Sequence, residues 1–401
     1  MTFIRCHVVF LMLSLVLAHG QTHPTLRLQN ESRQVAGTPL IDRAGETIAW
    51  RAGNSLLWQN QHGSNLLAQP GRFLKQALSA NGEVLAVLQM TAPDTLVLRW
   101  FDQHGRAPGR HTLPRHEDDP LPQICLSREG TALLLAQPAT AQVLFFSSAD
   151  LLPGPRLLFD SVAYLNERPL FLAAAGESFL VLSQPEVSNE QRPGQPVLIC
   201  FSLAGQERWR RELPAGTAGG LEVSRNGEWI IASHYHVDNA TGAVTSAMVL
   251  FDREGAQQAA TAGLFRQARF SDNGERLFVM DRRQVRLLKL PGLDTVWQSS
   301  LTSRNEMFVD IAMDPAGRDH FFALAAVSTF KHDRFVFEHG RLIKFIGGHP
   351  RTSVRLSEEL VNPTLAFSTS SQRLLLAADG LVQRYTVVSV VRPPGKRAIK
   401  Q

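Results

Sequence analysis

Cysteine is almost absent, with three residues in a 401-residue chain. Cys6 lies near the N-terminus, so the body holds only Cys125 and Cys200, which excludes the disulfide framework of small secreted domains. Both sit in apolar runs, Ile124-Cys125-Leu126 and Ile199-Cys200-Phe201, where a buried, unpaired thiol is expected and a single bridge is the alternative. Charged residues are few at 19%, yet the 44% hydrophobic content excludes wholesale disorder. Long apolar runs are lacking except at the N-terminus, which excludes a polytopic membrane protein. There is no Gly-x-Ser-x-Gly elbow, His-Glu-x-x-His pair, phosphate-binding loop or Cys-x-x-Cys pair, so no familiar catalytic motif is present. An excess of one charge is also missing from the body. The formal +5 is accounted for by Arg5 and by Arg392, Lys396, Arg397 and Lys400 at the C-terminus. A balanced body argues against a nucleic-acid partner.

What is present begins with the N-terminus. Residues 1–20 read as a signal peptide: Arg5 supplies a positive start, Val8 to Ala18 an apolar stretch, and Ala18-His19-Gly20 a small-residue cleavage site before Gln21. The apolar stretch is about half of the ~20 residues that a bilayer span requires, so an uncleaved anchor is the less favoured reading. The expectation is a secreted or periplasmic protein that does not span a membrane after cleavage. Its body would run from 21 to 391, followed by a basic tail at 392–401.

The body is organised by a repeat. A Ser/Asp-x-x-Gly turn, preceded and followed by apolar runs, recurs at Asp42–Gly45, Ser79–Gly82, Ser127–Gly130, Ser224–Gly227, Ser271–Gly274 and Asp314–Gly317. Degenerate copies stand at Ala173–Gly176 and Ser368–Ser371, and successive fourth positions lie 37 to 54 residues apart. A Ser or Asp side chain accepts from backbone N–H groups two or three residues on, and Gly supplies positive φ. The runs that follow, such as Glu83 to Leu88 and Arg276 to Met280, have strand composition and are too short for stable helices. A second turn alternates with the first, an aromatic residue followed within five residues by Gly: Trp58 to Gly63, Phe101 to Gly105, Phe201 to Gly205, Phe251 to Gly255 and Phe337 to Gly340. Two hairpin turns and four strands in about 46 residues is the layout of a propeller blade.

This pattern resembles the secreted β-propellers of the YVTN and pyrroloquinoline-quinone-like repeat type, and also WD-repeat propellers, although no copy carries a Gly-His…Trp-Asp pair. The resemblance covers Thr25 to Val391 and implies an all-β ring of four-stranded antiparallel blades. Eight turn copies imply eight blades; seven is the alternative if Gly45 and its neighbours complete another sheet. The last copy shows three strands, Thr364 to Phe367, Arg373 to Ala377 and Leu381 to Val388, so Thr25 to Leu28 is expected to supply the fourth and close the ring. A string of β-sandwiches is the competing architecture, and it would not produce so steady a period.

By the same resemblance, one face gathers the insertions Gln184 to Pro196, His234 to Ser246 and Val327 to Arg334, with His111 to Gln123 linking two blades on that face. Within them, His234-Tyr235-His236-Val237-Asp238 is the strongest polar cluster. In a strand, His234 and His236 point the same way and Asp238 would follow. Such a pair is half of a divalent-metal site, although an exposed strand end explains it more simply. His116 and Asp118, in the acidic linking stretch, are the further ligand-binding candidates, again against the reading of a solvated loop. No cofactor is expected, a divalent metal at these residues being the alternative. Gly205 to Trp209 looks like the Gly-x-x-x-Trp that docks neighbouring blades in quinoprotein dehydrogenases, and Gly292 to Trp297 is a looser copy. Without the repeated motif and adjacent cysteines of those enzymes, Trp209 reads as an inter-blade packing residue. The leading functional reading is a binding module taking a protein or glycan on the long-loop face. The alternative is a propeller hydrolase or lyase acting on a sugar, lactone or phosphoester. Carboxylates or histidines converging on the central channel would favour the enzyme, and a channel of apolar or small residues the binding module.

Overall fold

The computed structural model describes residues 26–387 apart from 34–38, 43–45, 53, 61–64, 108, 120, 138–141, 148–152, 159–170, 185, 188–191, 194, 239, 315–319, 347–348 and 369–372. The signal peptide and the basic tail therefore lie outside the described residues, as do parts of the turns at Asp42, Asp314 and Ser368. All described elements are strands, arranged in eight four-stranded antiparallel sheets and one two-stranded ribbon.

Blade 1 is β2 (Leu40–Ile41), β3 (Thr47–Ala52), β4 (Ser55–Asn60) and β5 (Asn65–Pro70). Blade 2 is β6 (Arg72–Leu78), β7 (Val84–Ala92), β8 (Thr95–Asp102) and β9 (Arg110–Pro114), and blade 3 is β10 (Gln123–Leu126), β11 (Ala132–Gln137), β12 (Gln142–Ser147) and β13 (Pro153–Leu158). Blade 4 is β14 (Phe171–Ala175), β15 (Ser178–Ser183), β18 (Val197–Ser202) and β19 (Glu207–Glu212), with the ribbon β16 (Glu186–Val187) and β17 (Arg192–Pro193) inserted between its middle strands. Blade 5 is β20 (Thr217–Val223), β21 (Trp229–Val237), β22 (Val244–Asp252) and β23 (Gln257–Ala262). Blade 6 is β24 (Gln267–Phe270), β25 (Arg276–Met280), β26 (Gln284–Lys289) and β27 (Asp294–Ser300). Blade 7 is β28 (Glu306–Met313), β29 (His320–Lys331), β30 (Arg334–Ile346) and β31 (His349–Arg355). Blade 8 joins β32 (Thr364–Ser368), β33 (Arg373–Ala378) and β34 (Leu381–Val387) to β1 (Leu26–Arg33), which pairs antiparallel along β34 from Leu26↔Val387 to Arg33↔Leu381. The expected count of eight and the closure by the N-terminal strand are both observed.

The core lies between blades rather than within them. A four-stranded sheet has two flat sides, and its alternating side chains can be buried only against a neighbour. In β21, Ile230 and Ala232 pack with Leu180, Leu182 and Leu198 of blade 4, while Ile231 packs with Leu277 and Val279 of blade 6. Each of eight hydrophobic clusters spans one pair of adjacent blades, ending with Ile48 and Trp50 of blade 1 against Leu375, Ala377 and Val382 of blade 8. That last seam turns a row of sheets into a ring.

The repeated turns work differently from the sequence expectation. The hydroxyls of Ser79, Ser127, Ser224 and Ser271 accept from the backbone N–H five residues on, at 2.9–3.0 Å, rather than two or three. The serine thus ties the turn to the first residues of the next strand. In the second turn, Asp102 and Asp252 take N–H groups two and four residues on. Phe337 to Gly340 is not such a turn: it lies inside β30, where the ladder to β29 is irregular. Gly130 shows why the turn needs glycine. Its φ is +71°, and a Cβ there would come within 2.4 Å of Val84 in the preceding blade.

Candidate functional site

Successive strands run up and down each blade, so second-to-third-strand connections and blade links share one face, and the Ser/Asp turns occupy the other. Two of the three insertions are not loops. β21 and β22 stay paired through His234↔Ala247, Tyr235↔Ser246, His236↔Thr245 and Val237↔Val244. β29 and β30 stay paired to Lys331↔Arg334, turning through His332 and Asp333 at φ of 50° and 59°. Both hairpins keep their ladders up to the turn, and the blade 7 strands, 12 and 13 residues long, are the longest among the described residues. The third insertion carries the small β16–β17 ribbon.

Each of the two hairpins carries an uncovered apolar pair just below its polar turn. Phe330 and Phe335 are 62% and 63% exposed and meet edge to face, with ring centroids 5.3 Å apart. Val237 and Val244 form an exposed cross-strand pair at the tip of the blade 5 hairpin. Beside the phenylalanine pair, Lys331 at the turn donates to Glu338 and Glu359, and Thr329 also donates to Glu338. Those bonds hold the Glu338 carboxyl down at about 2.

The sequence-predicted cluster is split by the structure. His234 and His236 lie on the same side of β21, as expected, but at different depths. His234 is buried at 7% exposure in the seam with blade 4, and His236 is exposed. Beside His234, the buried Gln184 clamps the two blades, its Oε1 accepting from Ala218 N–H at 3.0 Å and its Nε2 donating to Gly216 at 2.7 Å. Tyr235 is half-buried on the opposite side. Asp238 is committed to the turn: its carboxylate accepts from Ala240 and Thr241 N–H at 2.8 and 2.9 Å, and these bonds hold its pKa below the usual range. His116 and Asp118 are exposed in the link between blades 2 and 3, where His116 N–H donates to Asp119. Among the described residues, no group of three or more His, Cys, Asp and Glu side chains is placed to hold a metal ion.

Both ring nitrogens of His234 are buried without a hydrogen-bond partner, and burial holds its pKa below 6.5. The unfolded chain therefore takes up this proton first as pH falls. The stability contribution is complete above pH 6.5 and is lost as pH drops through 6.5 toward the depressed folded value. His234→Leu should raise stability at pH 7.5 by about 1 kcal/mol, by removing unpaired polar atoms, and the gain should widen at pH 5.5. Melting of both proteins at the two pH values measures this; a gain that shrinks at low pH contradicts it.

The central channel, about 420 Å³, is walled by the innermost strands, with apolar residues such as Leu78, Leu126, Leu172, Phe270 and Ile311 interleaved with the polar Ser79, Arg128, Arg269 and Thr364. Its two lining carboxylates are engaged. Asp42 accepts from Glu46 and Thr47 N–H, and Glu222 pairs with Arg269 at 3.2 Å. Behind the wall, Asp310 is fully buried and accepts from Leu365 N–H at 2.6 Å and Ile311 N–H at 2.8 Å, joining blades 7 and 8. Desolvation, opposed by Arg269 and these bonds, pushes its pKa up. Cys125 and Cys200 are unbridged thiols, and burial pushes Cys125 up to about 12. No cluster of free acids and bases converges on the channel among the described residues lining it.

No protein-family profile and no curated protein matches the chain. Solved structures match over nearly its whole length. The Dos1 propeller superposes with a TM-score of 0.61 at 10% identity, over 90% of this chain and 96% of that one. The C-terminal WD40 domain of Sif2 also scores 0.61 at 10% identity, over 91% and 99%. BamB from Moraxella catarrhalis scores 0.53 at 11% identity, over 92% and 99%. The chain is thus an eight-bladed β-propeller, a fold it shares with these structures.

Proposed function

We propose that this propeller is an exported binding module that receives a protein partner on the face bearing the blade 5 and blade 7 hairpins. The observation that carries this reading is the exposed Phe330–Phe335 pair at the end of a rigid ladder. Paired aromatics held clear of the surface cost little conformational entropy on binding and bury a large apolar area. The Val237–Val244 tip supplies a second apolar contact on the same face. The channel carboxylates Asp42 and Glu222 are both engaged in local bonds, which supports binding over catalysis, since catalysis needs groups free to exchange protons or attack. Export is supported by the signal-like residues 1–20, and the exported form should begin at Gln21 by intact mass.

Photo-crosslinking in the native host tests the face. A crosslinker at Phe330 should give a discrete protein adduct, and one at Glu254, in a turn on the opposite face, should not. Adducts from Glu254 alone, or a glycan retained in place of a protein, would overturn the reading.

A further inference from the structure

The seam between blades 6 and 7 opens at its outer side into a cleft of about 340 Å³, which takes in the start of the blade link at Leu301 and Thr302 and does not include Phe330 or Phe335. Its floor is apolar, built from Leu301, Phe308, Ile343 and Phe345. Its rim carries hydroxyls from blade 6, Ser299 and Ser300, and the strand β31 from blade 7. Two features of β31 define what the cleft can take. It is the last strand of its sheet, so its outer row of N–H and C=O groups has no strand partner among the described residues. It also carries charge of one sign: Arg351 and Arg355 are exposed, and no acid lies on the strand. Neither arginine is ion-paired among the described residues, whereas Arg341 beside the floor is already held in a two-pronged bond by Glu306.

We propose that an extended acidic peptide segment of a protein partner docks here, adding to β31 as a fifth strand of blade 7. Main-chain hydrogen bonds to the open edge would supply affinity that is independent of sequence. Alternate side chains of an added strand point to opposite sides, so one apolar side chain would rest on Phe308, Ile343 and Phe345. Acidic residues two positions before and after it, on the same side, would meet Arg351 and Arg355, which share the side of Ile343 and select acidic over basic segments.

The probe is a fluorescein-labelled decapeptide whose alternate positions run Glu, Phe, Glu, Leu, Glu with Ser or Thr between them, so that acidic and apolar side chains share one side; it is titrated against the mature chain and read by fluorescence anisotropy. Saturable binding is expected, weakened about tenfold or more by Arg351→Glu with Arg355→Glu. A Lys-for-Glu peptide should not bind, and a peptide with proline at alternate positions should lose binding because it cannot donate to the edge. Peptide binding should also slow amide exchange in residues 349–355. Phe330→Ala with Phe335→Ala should leave the titration unchanged, which separates this site from the hairpin face. If the double Glu variant fails to fold, Arg351→Gln with Arg355→Gln carries the same test. No saturable binding, equal binding of the Lys peptide, or indifference to the arginine or proline changes would each overturn the proposal.

Discussion

Trp209→Ala is expected to lower stability by about 3 kcal/mol, among the largest effects of any single change at a partly exposed position. Trp209 is the one residue of β19 that turns inward, on an outer strand that is otherwise exposed. Its indole N–H donates to the carbonyl of Arg253 in the next blade at 2.8 Å, and its ring lies against Gly255 of that blade's outer turn. Arg211 sits over the ring at 5.8 Å and donates to the Gly255 carbonyl at 2.7 Å. Trp209 thus binds the turn by packing and a hydrogen bond, and Arg211 adds a cation over its ring and a second hydrogen bond. Trp209→Phe should recover most of the packing and lose about 1 kcal/mol for the hydrogen bond. The partner glycine is equally constrained. Gly255 has φ +77°, and a Cβ there would lie 2.7 Å from the Trp209 ring, so Gly255→Ala should cost about 2–3 kcal/mol. Removing the ring relieves the overlap, so the Trp209→Ala, Gly255→Ala double variant should lose less than the sum of the two. Urea denaturation of the four proteins measures the coupling; strict additivity would show that the two residues do not act as one joint.

Loss of the N-terminal strand is the second large effect. A chain lacking residues 1–33 should lose its cooperative melting transition or aggregate. β1 fills the edge of blade 8 along β34, and Leu26 belongs to the core between blades 7 and 8. Without it, β34 presents an open edge, the feature that templates association between chains. A synthetic peptide spanning residues 24–35, added in trans, should restore the transition. A truncated chain that melts like the intact one would show that β1 is dispensable.

Much of the architecture is legible in the residues because turn chemistry is local. Ser79, Ser127, Ser224 and Ser271 each mark a hairpin by side-chain chemistry acting within five residues, and the regular period then implies blades. The choice of eight over seven is not local. It depends on β2, only two residues long, and on β1 returning beside β34 from the other end of the chain. The insertions are also visible by length, but not their form: Val327 to Arg334 continues two strands because Phe330 and Phe335 pair across a tight turn. Alternation correctly places His234 and His236 on one side of β21. It does not reveal that the strand climbs out of the seam between them, burying the first and exposing the second. The channel and the blade 6–7 cleft are assembled from residues far apart in sequence, so their character emerges only when the ring closes.

Ring closure is most directly tested by an engineered crosslink between the two ends of the chain. Asn30 lies opposite Arg384 in the β1–β34 ladder. With Cys125 and Cys200 changed to serine, Asn30→Cys and Arg384→Cys should form an intramolecular disulfide in the purified monomer and raise the melting temperature. Thiols that stay free in the folded protein, or that join only between two chains, would contradict the closed ring.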